Sequence, residues 1–388
     1  MPSNTAENER PSKKRKLDRS SPIRTRSRDT HTPPMHDSGN EPELKPGIAA
    51  ADERTPAPRL DRHPFLWFED GSIIVVASDG LTFKLHASVL SHHSEVLKDL
   101  ISALPNSAKR TLQLPERGAD LAGFFEVLYD GHSYYNHDEF IEFDTLRLLL
   151  LVSIKYQVSH MVDSGFSRLQ AFYPSDYDYW TEWVHRGKPY GGSVGIECED
   201  SIAVIEIARA AGRTDLLPVA LYVCTLIPWE SFLEGIQYGP DIVQLSVEDQ
   251  MLCLNALRDF RAMSARISDV FLTEALRGPG AHCRTQVDCR KAYRELALAA
   301  TRSSQFADLD CFESSTRLIE KLEAVQARKR CKQGSGASKE AVQARKRCSR
   351  CVRYLKEKIE ERRREEWNTL GEVFNIPDWP PRPASLTQ

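Results

Sequence analysis

The sequence predicts an α+β fold: a short β-hairpin and sheet packed on a helical cluster, then an all-α helical extension, behind a disordered N-terminal tail. Three observations carry this expectation. Residues 73–76 form a β-branched run, IIVV, closed by a Ser-Asp-Gly turn and followed by a second strand-like stretch, LTFKLHA. Further along, apolar residues recur at helical spacing in segment after segment. Residues 1–62, by contrast, are rich in Pro, Ser, Thr, Asp and Arg and show no periodicity.

Within that tail, PSKKRKLD sets Lys13, Lys14, Arg15 and Lys16 in a row after a helix-breaking proline. An extended basic cluster of this kind suits the acidic pockets of a nuclear import receptor. An ordinary basic patch on a solvated tail is the bland alternative.

After the hairpin, SVLSHHSEVLKDLISAL places Val96, Leu97, Leu100, Ile101 and Leu104 on one helical stripe behind Ser94 as N-cap. RTLQLPE reads as one more strand. ADLAGFFEVLYDG starts at an Asp120 cap and stops at Gly131, with Leu121, Phe124, Phe125 and Leu128 on one face. FDTLRLLLLVSIKYQV begins at Asp144 and is apolar on nearly all sides, the mark of a helix buried among others. Ahead of these elements, Phe65, Leu66, Trp67 and Phe68 form an apolar cluster large enough to close an interface between two copies.

Residues 176–198 read as a linker whose Tyr177, Tyr179, Trp180 and Trp183 either bind a peptide or pack back onto the preceding domain. A helical extension is expected over 199–280. It starts at an Asp200 cap, and its longest helix opens with Ser246-x-x-Asp249, a box-like start. Residues 281–388 form a cysteine- and arginine-containing helical region. There EAVQARKRC occurs twice, at Glu323–Cys331 and Glu340–Cys348, with a period of 17 residues. Two copies are too few for a solenoid, and excising Lys332–Cys348 restores a continuous helix-compatible run. The segment therefore reads as a recent tandem duplication or a retained non-coding stretch.

Charge is uneven along the 388 residues: net +3 over 1–60, −14 over 61–315 and +8 over 316–388. An acidic body between basic ends argues against a nucleic-acid-binding core. The longest apolar run, Leu146–Ile154, falls well short of the roughly 20 residues that span a bilayer. The polar, basic N-terminus is not expected to act as a secretory signal. The nine cysteines are odd in number and absent before Cys198, which suits reduced thiols in an intracellular protein.

Three motifs stand in order over residues 63–175. The first is Phe83, His86, Val89, Leu90 and Ser94; the second is Phe125, Leu128, Tyr129 and Gly131. The third is Leu149, Leu150, Lys155, Tyr156, Val158 and Met161. On these residues the segment resembles a BTB/POZ domain, of the type expanded in fungi. The resemblance implies the BTB/POZ fold over 63–175, a homodimer, and partners such as a cullin scaffold or transcriptional regulators. It gives Phe83, His86, Val89, Leu90, Ser94, Tyr129, Gly131 and Tyr156 structural roles. His86 is expected to join two backbone groups at the strand-to-helix junction. His92 and His93 are adjacent, point about 100° apart on a helix and are not expected to chelate one ion.

No cofactor or metal is expected, with one alternative. Cys348 and Cys351 form a CxxC on one helical face, and a structural zinc ion there needs two more ligands from His282, Cys283, Cys289 or Cys311. A redox pair and idle buried thiols are the other readings. There is no GxSxG, Walker loop, GxGxxG or HExxH, so no enzymatic activity is expected. The function expected is a nuclear protein–protein interaction adaptor in transcriptional or ubiquitin-ligase assembly, with no membrane partner. The alternative is a nucleic-acid-binding regulator using the basic C-terminal helix, where 17 Lys/Arg face 8 acidic residues between Thr316 and Leu370.

Overall fold

A computed structural model of the chain describes residues 61–105, 110–186, 193–280, 283, 286–301, 311–312, 339–377 and 379–380. The tail with Lys13, Lys14, Arg15 and Lys16, and the first copy of the repeated nonamer, lie outside the described residues. The fold is mixed α+β, a small sheet packed against a helical cluster and followed by further helices.

The sheet has the order β1-β3-β2-β4, with β1 (Asp61–Trp67), β2 (Ile73–Val76), β3 (Leu81–Leu85) and β4 (Thr111–Gln113). β2 and β3 form the expected antiparallel hairpin, with Val75 opposite Phe83. β4 runs parallel to β2, with Val75 opposite Leu112. The hairpin turn uses Gly80 at φ +88°, a backbone that a side chain would strain. Asp79 in that turn accepts hydrogen bonds from Leu81 N–H (3.2 Å) and Gly118 N–H (3.0 Å), fastening the hairpin to the start of α3 (Gly118–Tyr129).

β1 was not among the expected strands. It lies parallel to β3 with an irregular register between Arg62 and Trp67, and Pro64 sits in its middle. Proline cannot donate to a ladder, and an edge strand is where a sheet tolerates it.

After β3 come two helices, α1 (Ala87–His93) and α2 (Glu95–Ser102), with Ser94 extended between them. Ser94 is the N-cap foreseen: its hydroxyl accepts from Leu97 N–H at 3.0 Å and donates to the Tyr156 carbonyl at 2.6 Å. α3 buries Leu121, Phe124, Phe125 and Leu128, as its periodicity predicts. It begins two residues ahead of Asp120, which lies in its first turn instead of capping it. α4 (His132–Tyr135), α5 (Phe143–Lys155) and α6 (Ser159–Gln170) follow, and α5 is packed by α3, α6 and α8 (Ser201–Ala210).

α6 also places the buried Arg168. Its guanidinium donates to the carbonyls of Ser133, Tyr134, Asn136 and Glu139 at 2.8–3.1 Å and to Ser193 Oγ at 2.9 Å. These carbonyls lie at and beyond the end of α4, where the helix supplies no donors of its own.

Segment 176–198 is more ordered than a linker. It carries α7 (Tyr177–Arg186) and β6 (Val194–Gly195), which pairs in parallel with β5 (Ile141–Glu142). Tyr177 and Trp180 are buried one helical turn apart and form an inward helix face, whereas Tyr179 is exposed. Beyond α8 come α9 (Leu217–Cys224), α10 (Trp229–Glu234) and α11 (Val247–Arg277). Between α10 and α11 an antiparallel hairpin, β7 (Ile236–Tyr238) and β8 (Asp241–Val243), corrects the all-α expectation for this region. Ser246 caps α11, accepting from Asp249 N–H at 3.1 Å. The described chain ends with α12 (Gln286–Thr301), α13 (Lys339–Trp367) and α14 (Leu370–Val373). Buried side chains from Leu66 to Trp379 join in one hydrophobic cluster.

Candidate functional site

The motif residues meet in pairs across the sheet and its helices. His86 stands where β3 passes into α1. Its main-chain N–H donates to the Tyr129 hydroxyl at 2.9 Å, and its ring Nδ1 lies 3.1 Å from the same oxygen. The Asp70 carboxylate near Nε2 can only accept, so Nε2 carries the ring proton and in the neutral ring Nδ1 accepts the phenol proton. Nε2–H donates to that carboxylate at 3.2 Å. This hydrogen bond from His86 is the main cause that holds the Asp70 carboxyl below the usual range. The imidazole thus joins two side chains, not the two backbone groups expected from the sequence. Phe68 stacks on Tyr129 with ring centroids 4.8 Å apart.

Most of the other motif residues are core, while Lys155 is exposed. Phe83 packs edge-on against Phe125 at 5.2 Å, and Leu90 and Tyr156 are buried, while Val89 is half-buried. The Tyr156 hydroxyl donates to Glu116 at 2.7 Å, and Lys155 pairs with the same carboxylate. At Gly131 a Cβ would lie 2.4 Å from the Tyr135 ring and 2.7 Å from the Val127 carbonyl, so the turn into α4 admits no side chain.

The apolar cluster ahead of the hairpin is largely used within the chain. Leu66 is buried, Phe68 is stacked as described, and Arg62 covers the Trp67 ring at 4.5 Å. Phe65 alone of the four is strongly exposed, at 81%. It projects from β1, the edge strand of the sheet.

His92 and His93 lie on α1 with ring centroids 5.1 Å apart. His93 reaches α6, with Nδ1 3.0 Å from His160 Nε2, and His160 Nδ1 in turn lies 2.7 Å from the Tyr135 hydroxyl. Burial is the first cause that lowers the pKa of both His93 and His160.

The basic C-terminal helix docks on the body. α13 packs against α11 and buries Cys351, Leu355, Ile359, Arg363, Glu366 and Trp367. Trp367 sits among Trp180 (5.3 Å), Phe312 (5.2 Å) and Tyr177 (5.8 Å), and its indole N–H donates to the Ser175 carbonyl at 2.8 Å. Four of its cations are matched at short range. Arg364 pairs with Asp178, Arg363 with Glu360, Arg362 with Glu365 and Glu366, and Lys358 with Glu361.

The same docking gathers three cysteines. Cys283 in the loop after α11, Cys289 in the first turn of α12 and Cys351 on α13 are all buried, with their Sγ atoms within 4.8 Å of one another. Of the ligands considered from the sequence, Cys283, Cys289 and Cys351 therefore converge. Cys311 is buried outside this group. The side chains of His282 and Cys348 lie outside the described residues. Two other buried thiols have different surroundings. Cys224 Sγ lies 3.0 Å from Ser201 Oγ, and Cys253 Sγ donates to the Leu221 carbonyl at 3.7 Å. Burial pushes the Cys224 thiol up to about 12, and burial raises Cys253 as well.

Among the described residues, no helix is long and apolar enough to cross a membrane. Comparison of the chain with protein-family models and with curated proteins returns no match in either case.

Proposed function

We propose that this protein is a protein–protein interaction adaptor acting through a BTB/POZ-like module at residues 63–175. The observation that carries this reading is the way residues from separate motifs bond to one another. His86 meets Tyr129, and Ser94 meets Tyr156, across a hairpin, a helix pair and a buried helix. The order of elements agrees with the same reading: β2–β3, then α1–α2, then β4 alongside β2, then α3 and the α5–α6 pair. In BTB/POZ proteins such a module dimerises and presents partners to a cullin scaffold or to transcriptional regulators. Here the exposed Phe65 on edge strand β1 is the apolar side chain best placed for self-association.

The proposed location is the nucleus, through recognition of Lys13, Lys14, Arg15 and Lys16 by an import receptor. The nucleic-acid reading draws less support, because α13 buries one face and pairs Arg362, Arg363 and Arg364 with carboxylates.

The test is affinity purification of the full-length protein with its partners read by mass spectrometry, beside light scattering of the same protein. Recurrent cullin or transcriptional-regulator peptides with a dimer mass are the expected result. A monomer at tens of micromolar that recovers no such partner ends this reading. A fluorescent fusion with Lys13–Lys16 changed to Ala is expected to leave the nucleus, and one that stays there ends the import assignment.

A further inference from the structure

We infer that Cys283, Cys289 and Cys351 form a structural zinc site that clamps the C-terminal helix α13 to the α11–α12 turn. The three sulfurs come from three separate stretches of chain and meet at one buried point, within 4.8 Å of one another. Around a tetrahedral zinc ion with Zn–S bonds of about 2.3 Å, ligand sulfurs stand about 3.8 Å apart. The cluster is therefore already near the size that the ion requires.

The ordinary alternative is that cysteines pack as small apolar side chains. Cys224 and Cys253 suit that description, each with its sulfur near a hydroxyl or carbonyl oxygen. The second group differs in its convergence. Cys289 lies in the first turn of the 16-residue α12, near the positive pole of that helix's dipole. One turn on, Tyr293 donates its hydroxyl to the Cys351 carbonyl at 2.9 Å, which fixes α13 at the height of Cys289.

Three buried thiolates brought together without a cation would repel one another, and a divalent ion removes that cost. Binding at neutral pH releases the thiol protons to solvent as three Zn–S bonds form, with no change of oxidation state. Soft sulfur ligands and a closed interior select zinc over magnesium or calcium. The three cysteines leave the fourth tetrahedral position to solvent or to a further donor. The ion links positions 283 and 351, so zinc is expected to govern how firmly α13 is held.

The experiment is metal analysis of full-length protein purified under reducing conditions without chelator, followed by cobalt substitution. About one zinc per chain is expected, and the cobalt form should show thiolate charge-transfer absorption in the near ultraviolet. Cys283→Ser, Cys289→Ser and Cys351→Ser should each lower zinc content at least tenfold, whereas Cys253→Ser should leave it unchanged. Because a ligand variant could fail to fold, wild-type protein carries the decisive reading. Folded, reduced wild type that neither retains zinc nor takes up cobalt overturns the proposal. So does a disulfide within the three that, once reduced, yields no metal uptake.

Discussion

Arg266 on α11 grips Glu366 on α13 with both prongs of its guanidinium, Nε to Oε1 at 2.7 Å and Nη2 to Oε2 at 2.5 Å. Arg362, on the same helix as Glu366, reaches that carboxylate from another side at 2.6 Å. The Glu366 side chain is 3% exposed, while the Arg266 and Arg362 side chains are 46% and 31% exposed. Desolvation therefore falls mainly on the carboxylate, and either arginine alone leaves it paired. Arg266→Ala is expected to cost about 1 kcal/mol, because the lost guanidinium is partly hydrated and Arg362 remains. Removing both arginines strands a buried carboxylate, and about 3–5 kcal/mol is expected. Urea unfolding of the two single variants and the double variant checks this. Additive single effects would show that the two guanidinia do not share one carboxylate energetically.

The His86–Tyr129 pair makes a second prediction. Tyr129→Phe keeps the ring that stacks on Phe68 but removes the oxygen that serves both His86 N–H and Nδ1. A loss of about 1–3 kcal/mol is expected, as for a polar group left unpaired away from water. His86 is a quarter exposed, so water can reach part of the site and the lower half of that range is favoured. Chemical denaturation of full-length protein measures it, and a stability equal to wild type would remove the pair from the hairpin–helix joint.

Acid should loosen the α1–α6 contact. In the folded protein, burial lowers His93 and His160 below their ordinary value of 6.5, and neighbouring histidines lower both further, with Asp163 opposing at His160. The unfolded chain thus takes up protons first as pH falls below that value. Stability contributed by the neutral pair is present above pH 6.5 and is lost as pH falls through the folded values. The physical reason is plain in the geometry: a 3.0 Å contact between two ring nitrogens needs one of them to accept. Melting temperature should fall from pH 7.5 to 5.5, and His160→Gln should flatten that slope. An unchanged slope in the variant would assign the acid response to other groups.

Local chemistry was readable in the sequence, and long-range pairing was not. Ser94 and Ser246 could be identified as caps because a cap bonds within its own turn. The IIVV run gave β2 because hairpin partners are neighbours in the chain. β1 escaped notice because Pro64 breaks the strand signal, and its parallel partner β3 is not its neighbour in the chain, β2 coming between them in sequence. α7 was read as linker because Tyr177 and Trp180 become a core face only once Trp367 arrives from nearly 200 residues away. The cysteines follow the same logic. Spacing alone drew attention to Cys348 and Cys351, whereas the partners of Cys351 are fixed by how α12 and α13 pack.

The repeated cassette tests which part of α13 matters. The second copy lies on the first turns of α13, and among the described side chains the docking face runs through Cys351, Leu355, Ile359, Arg363 and Trp367. Deleting Lys332–Cys348 leaves that docking face intact and places Cys331 three residues before Cys351, as Cys348 stands in the full chain. It also leaves Cys283 and Cys289 untouched. The deletion is therefore expected to keep the zinc content of the full-length protein and to leave its melting temperature nearly unchanged. Cys351→Ser, in contrast, should lose the metal and lower the melting temperature, because the clamp on α13 is gone. Metal analysis and thermal unfolding of the deletion, the Cys351→Ser variant and wild type, run side by side, separate the cases. Zinc lost on deletion would mean that the second copy supplies something the first cannot, either a ligand held by the local helix or the length of chain needed to reach the site.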